Sequence, residues 1–420
     1  MIDLAWLSLG ALLLVIAVSC TTRVNPGLPA IALAWLIGVC PEPLCDRPIG
    51  LKQVVAGFPS SLFLTLAGVT LLFALIQDNG TLDRVARRAV ALCGGRRGTV
   101  PVMFFVLAVV LGTAGAGNIA AAALVAPMAM GTARRLGIRA LPMAVMVAHG
   151  AIAGGMSPFG PAGAVVASLA RDRVGLPGAE WPLYLHNLLA NTAIAAAGFV
   201  LLGGLRHHPV PPPDGTDDAG AARLERPHRA TLLILALVIT AVVGFGADVG
   251  MAAFTGSVVM IWFRLADEQR AVRAMPWGVI LMVCGVTVLT ALLEHTGGAD
   301  RLSGLVARVA TPHTAPPLMA LLCGLVSVYS STTGVVLPAF LPLVPGLVAR
   351  LGGGDPLLLA SAVVVGGNVA DASPLSTIGA LCLASAAGED RRVLFNRLLA
   401  WGLAMPFAAA AGYAVVAVVS

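Results

Sequence analysis

The 420-residue chain is 58% hydrophobic and only 11% charged, a balance that excludes a soluble globular domain and identifies a polytopic membrane protein. Its net charge of +6 sits in short basic clusters between apolar runs, which fits topology determinants and not a nucleic-acid surface. Apolar runs near 20 residues cross a bilayer as helices, so an all-α bundle follows.

In chain order, Leu4 to Cys20 opens the series. No basic region precedes it and no small-residue cleavage site precedes Thr21-Thr22-Arg23, so it reads as a retained span. Spans over Leu28 to Cys40 and Leu62 to Ile76 come next, followed by an amphipathic stretch with Asp83, Arg84, Arg87, Arg88, Arg96 and Arg97, expected to lie at the membrane surface. No charge occurs from Gly98 to Ala133. One helix of that length would run about 54 Å, too long to cross once and too short to cross twice with a turn. Gly112, Gly115, Gly117 and Asn118 divide it, which predicts a re-entrant hairpin with its tip at mid-membrane, where protein or a wet cavity must satisfy the backbone. Leu141 to Ala170 is predicted as a discontinuous helix broken at Gly154-Gly155-Met156-Ser157-Pro158, and Leu183 to Leu205 as a last span. Arg206 to Arg229, rich in Pro, His and Asp, is a cytoplasmic linker.

The second half runs through spans Leu232 to Ala247, Met251 to Phe263 and Val279 to Leu293, a hairpin from Ala315 to Ala349, a broken helix from Leu357 to Ala387 and a span from Leu394 to Val419. It repeats the first. Gly68-Val69-Thr70, Gly80, Asp83 and Arg84 recur as Gly285-Val286-Thr287, Gly297, Asp300 and Arg301, and Ser157-Pro158 with Gly163 recurs as Ser373-Pro374 with Gly379. The expected organisation is a repeat over 1–205 (scaffold spans 1–97, hairpin and broken helix 98–170, last span 183–205), a linker over 206–229, and a repeat over 230–420 (scaffold spans 230–293, hairpin and broken helix 315–387, last span 394–419). Five crossings per half, each with three spans, a broken span and a final span, invert the second copy relative to the first. Most of the 26 Lys and Arg fall inside when both termini are placed outside a cytoplasmic membrane. Seven cysteines show no metal-ligand spacing. Cys40 and Cys45 flank an external loop, where two free thiols are expected over a disulfide.

Paired interrupted helices point to a transporter's substrate site. The first tip and break offer Asn118 with Ser157 and Pro158; the second offer Ser330, Ser331, Thr332 and Thr333 with Asn368, Asp371, Ser373, Pro374, Ser376 and Thr377. The N-termini of the second half-helices, expected near Pro158 and Pro374, direct partial positive charge at an anion. Amide and hydroxyl oxygens suit sodium. A cation, sodium or a coupling proton, is assigned to Asn118, Ser157, Thr333, Asn368, Asp371 and Ser373, and the substrate to Asn118, Ser157, Pro158, Ser331, Thr332, Ser373, Pro374, Thr377 and His149. Asp371, the one acid deep in an apolar run, is functional by default; the alternative is a satisfied structural carboxylate. For His149 a buried residue bonded to a backbone carbonyl is favoured over a substrate contact. No organic cofactor is expected, only sodium as a coupling ion.

Gly57-Phe58-Pro59, Gln77-Asp78-Asn79-Gly80-Thr81, Ala126-Pro127, His149-Gly150-Ala151 and Gly155-Met156-Ser157-Pro158 resemble the malonate and dicarboxylate carrier family of the ion transporter superfamily. Ser330-Ser331-Thr332, Gly334-Val335-Val336 and Pro338-Ala339-Phe340 extend the likeness through the second half. The related divalent anion:sodium symporters carry Ser-Asn-Thr at both tips. Here the first tip reads Gly115-Ala116-Gly117-Asn118 and the second Ser330-Ser331-Thr332-Thr333. The resemblance implies a homodimeric elevator-type carrier, with a transport domain of hairpins and broken helices sliding against a scaffold. A small dicarboxylate (malonate, succinate or malate) would move with sodium or protons. The alternative within the superfamily is arsenite export or sodium/proton exchange, the latter disfavoured by the single acid. A serine hydrolase pairing Ser157 with His149 is also disfavoured, since eight positions on one helix separate them by about 12 Å.

Overall fold

The computed structural model describes residues 3–22, 24–39, 49–92, 99–203, 224–386 and 390–419. Cys40, Cys45, Arg96, Arg97 and most of the expected linker lie outside them. The first half comprises α1 (Leu4–Thr21), α2 (Gly27–Gly38), α3 (Leu51–Ala56), α4 (Ser60–Asp78), α5 (Thr81–Leu92), α6 (Val100–Leu111), α7 (Gly117–Leu136), α8 (Ala140–Gly155), α9 (Pro161–Leu169) and α10 (Glu180–Leu201). The second comprises α11 (Arg226–Phe245), α12 (Val249–Trp262), α13 (Glu268–Ala274), α14 (Trp277–His295), α15 (Gly298–Ala307), α16 (Ala315–Tyr329), α17 (Leu337–Phe340), α18 (Val344–Leu351), α19 (Pro356–Val369), α20 (Thr377–Ser385) and α21 (Arg391–Val419). Helix for helix, the second list repeats the first, with α17 and α18 together standing where α7 stands. No strand occurs among the described residues, and nine of their helical stretches, four of them joining neighbouring helices named above, are long and apolar enough to cross a membrane.

The linker ends earlier than expected. Helix α11 starts at Arg226, because Glu225 and His228 form a reciprocal capping box around its first turn. Arg84 of the interfacial helix α5 pairs with Glu225 at 3.1 Å, tying that helix to the start of the second half.

The repeated Gly-Val-Thr is a crossing point between halves. An added Cβ on Gly285 would lie 2.3 Å from the carbonyl oxygen of Gly27, and one on Gly68 would lie 2.5 Å from that of Gly250. Thus α14 crosses α2 and α4 crosses α12 with backbones in contact, as small residues permit in membrane helices. Neither neighbour is a movable side-chain tip. Gly285→Ala and Gly68→Ala are each expected to cost about 1–3 kcal/mol, to be read as a lower thermal midpoint of detergent-solubilised protein.

Both expected hairpins are present. Gly150 of α8 lies against Phe105 of α6, and Gly154 against Val109; the two registers advance together, so α6 runs parallel to α8. Helix α7 returns to α8 through a turn at Gly137 to Arg139, so α7 runs antiparallel to α6. The chain reverses where Gly115 and Gly117 adopt φ of +112° and +78°, a region open to glycine. At 12 residues, α6 is about 18 Å long and cannot cross. In the second half, Gly366 of α19 packs on Ala320 of α16 while Asp371 meets Ser327, the same parallel arrangement.

The contacts sort these helices into two bundles. One holds α1 to α5 with α11 to α15. The other holds the hairpins, α8, α9, α19, α20 and both last spans, since α10 packs on α8 and α19, and α21 on α16 and α19.

Candidate functional site

Between the bundles lies a cavity of about 510 Å³. Four helix beginnings open onto it: Gly117 to Ala120 of α7, Pro161 and Ala162 of α9, Ser331 to Thr333 at the start of the second hairpin's inner arm, and Ser376 to Ile378 of α20. Each presents first-turn N–H groups without helical acceptors, the positive end of its dipole. Thr70, Phe73 and Gln77 of α4, with Ser19, Pro276 and Val279, close the other wall. Among the described residues no Lys or Arg lines it, and Asp371 is the one acid.

Of the residues picked from sequence, Asn118, Ser330, Ser331, Thr332, Thr333, Asp371, Ser376 and Thr377 line this cavity. The four hydroxyls of the second tip divide their tasks. Ser330 bonds Ser19 of α1 at 2.7 Å, Ser331 accepts from the Gly334 N–H at 3.0 Å, and Thr332 donates to Asp371 Oδ1 at 2.9 Å, while Thr333 also faces the cavity. Ser327 donates to the same Oδ1 at 3.2 Å. Asp371 Oδ2 has no hydrogen-bond partner among the described residues, so one carboxylate edge is left for a ligand.

Ser157, Pro158, Ser373, Pro374, Asn368 and His149 are buried and do not line the cavity. Ser157 Oγ donates to the Thr113 carbonyl at 2.7 Å and accepts from the Phe159 N–H at 3.3 Å; Ser373 Oγ accepts likewise from the Leu375 N–H at 3.3 Å. Each Ser-Pro therefore shapes the turn inside its break, and the following helices begin at Pro161 and Thr377, later than the prolines expected to start them. Asn368 donates to the Val364 carbonyl at 2.9 Å, and its Oδ1 is buried without a partner. His149 accepts from Trp401 Nε1 at 2.9 Å and bonds Asn191 Oδ1 at 2.9 Å through Nδ1. With both ring nitrogens engaged away from Ser157, His149 and Ser157 do not form a nucleophile and base pair.

Not among the residues picked from sequence are Thr70, Phe73, Gln77 and Tyr329, which also line the cavity. The spacing of Thr70, Phe73 and Gln77 by three and four along α4 puts them on one face, a signal present in the sequence. For Tyr329 only the fold of the tip decides.

Residues 2–155 match the family described as dicarboxylate carrier protein MatC, N-terminus. The chain is 23% identical over 320 residues to the uncharacterized transporter Rv2685 of Mycobacterium tuberculosis H37Rv, covering 71% of each chain, and equally to the uncharacterized transporter MT2759 of the CDC 1551 strain. Among solved structures it is similar in fold to the Alcanivorax borkumensis YdaH transporter, whose crystal structure was described as revealing an unusual topology. That likeness has a TM-score of 0.55 at 14% identity, over 92% of this chain and 96% of that one. The protein is accordingly a multi-span membrane carrier and not an enzyme, with its first 155 residues matching the dicarboxylate carrier MatC family from residue 2 onward.

Proposed function

We propose that the protein is a secondary active transporter of a small dicarboxylate of the malonate, succinate and malate class, driven by sodium or protons. The observation that carries this reading is the meeting of four helix N-termini at one cavity that has a carboxylate in its wall. Helix ends attract an anion without a Lys or Arg, and the free edge of Asp371 gives a cation or proton a place beside it. The unpartnered Asn368 Oδ1 is a further buried oxygen available to a hard cation. Asp371 is the one acid in the cavity among the described residues, which speaks against sodium/proton exchange as the main activity.

An elevator-type movement of the hairpin bundle, scaffolded by the other bundle in a homodimer, fits the two-bundle seam. Arg173 pairs with Glu294, and Arg350 with Asp300 at 3.7 Å, across that seam. Glu294 lies at the opposite end of α14 from Pro276 and Val279, so these ties hold the seam at the end away from the cavity. By the distribution of basic residues the cavity's end of the seam is cytoplasmic, which fits an inward-facing state in the cytoplasmic membrane, with both termini external. Uptake of labelled malonate, succinate and malate into proteoliposomes, under imposed sodium or pH gradients, is expected for at least one of them. Equal retention with and without a gradient for all three would overturn the reading.

A further inference from the structure

We propose that α10 holds the first half of the site in place, through a buried stripe formed by Tyr184, Asn187 and Asn191. The spacing of three and four residues puts these side chains on one face of the helix, and each is buried, with both asparagines fully so. Tyr184 Oη bonds Thr113 Oγ1 at 2.7 Å, just before the first hairpin tip. Asn187 Nδ2 donates to the carbonyls of Ile152 at 3.0 Å and Ala153 at 3.4 Å, two acceptors released where α8 ends. Asn191 Nδ2 donates in turn to Asn187 Oδ1 at 3.0 Å.

These bonds form a chain with one direction. Trp401 donates to His149, His149 to Asn191, Asn191 to Asn187, and Asn187 to the broken end of α8. Every donor finds an acceptor, and bonds aligned this way strengthen one another in a low-dielectric interior. The neutral His149 with its proton on Nδ1 is the form that completes it.

The brace reaches the cavity through backbone. Two residues beyond Ala153, Gly155 lies so close to Asn118 that an added Cβ would be 2.9 Å from the Asn118 amide nitrogen. Thr113, held by Tyr184, precedes the same tip. The second half supports its tip with its own hydroxyls on Asp371, whereas the first tip, Gly115-Ala116-Gly117, has none. A glycine-rich tip contributes only backbone N–H groups, and those bind a ligand well only when a neighbour fixes them.

Tyr184, Asn187 and Asn191 are thus positioning residues, and their effect on transport rests on the dicarboxylate reading. The test compares Tyr184→Phe and Asn187→Leu with Tyr413→Phe, which removes a hydroxyl bonded to Ser361 at 2.6 Å in the same bundle. Hydrogen–deuterium exchange of the purified protein, which needs no substrate, is expected to rise in residues 112–118 and 153–160 for the first two variants and to stay at the wild-type level for Tyr413→Phe. In uptake assays KM is expected to rise about five- to tenfold for Tyr184→Phe, in keeping with one lost buried hydrogen bond, with Vmax changed less than twofold. Equal exchange in all three variants, or an equal change of KM in Tyr184→Phe and Tyr413→Phe, would overturn the inference. Absence of uptake by the wild type would instead count against the dicarboxylate reading, leaving the exchange comparison to decide this one.

Discussion

Asp371→Asn is expected to lower gradient-driven uptake by about two orders of magnitude while leaving the protein folded. The substitution keeps the volume and an oxygen in the position of Oδ1, so Thr332 and Ser327 retain an acceptor. What disappears is the charge, and hydrogen bonds to a charged group are worth roughly 1.5–3 kcal/mol against about 1 for neutral ones. A cation bound against the carboxylate would lose more, because Asp371 is only 8% exposed and little water screens it. The variant should therefore fail in uptake driven by sodium or protons yet show a thermal midpoint near that of the wild type. Initial uptake rates with each gradient in turn, alongside thermal unfolding, check both halves. If Asp371→Asn keeps both its rate and its cation dependence while Ser157→Ala abolishes them, coupling belongs to the first break and the assignment made here is reversed.

The same comparison marks what the sequence could and could not disclose. The hairpins were legible because their physics is one of length: an uncharged stretch too long for one crossing, interrupted by glycines, has few other solutions in a bilayer. The recurrence of Gly68-Val69-Thr70 at Gly285 was legible as a repeat, but its meaning as a backbone crossing emerged only with Gly27 and Gly250 opposite. Side-chain direction inside a break is where sequence reasoning lost its footing. Ser157 and Ser373 stand at matching places in the two breaks, and both turn inward to shape the turn, while Ser376, three residues after Ser373, lines the cavity and caps α20. Periodicity gives no guide there, since neither the 3.6-residue nor the two-residue repeat holds across a turn. The stripe on α10 was a different case. Tyr184, Asn187 and Asn191 stand at helical spacing in an apolar span and are legible, but Leu183 to Leu205 carries no charged residue and no Ser-Pro break to single them out.

Among the described glycines, Gly163→Ala and Gly379→Ala are expected to be the most damaging single-methyl changes. A Cβ on Gly163 would lie 1.9 Å from the Ser157 carbonyl oxygen, and one on Gly379 would lie 2.0 Å from that of Ser373. Both obstacles are backbone atoms of the turn that forms the break, so no rotamer change relieves them. The bond pattern explains why the approach is so close: Gly160 N–H donates to the Ser157 carbonyl at 2.8 Å and Ser376 N–H to the Ser373 carbonyl at 3.0 Å, folding each break back over the first turn of the next helix. Overpacking of a core side chain usually costs 1–3 kcal/mol; here the backbone itself must shift, and a loss above about 4 kcal/mol is expected. Gly131→Ala and Gly412→Ala, where an added Cβ meets nothing within 4 Å, serve as controls and should leave stability unchanged or slightly raised through better helix propensity. Yield of monodisperse protein after detergent extraction and its thermal midpoint separate the two pairs. The match between halves adds a sharper requirement: because the same contact recurs in each break, the two damaging substitutions should fail to similar degrees. A tolerated Gly379→Ala beside a failing Gly163→Ala would mean that the second break can refold its turn, and would point to the second tip as the more mobile half of the site.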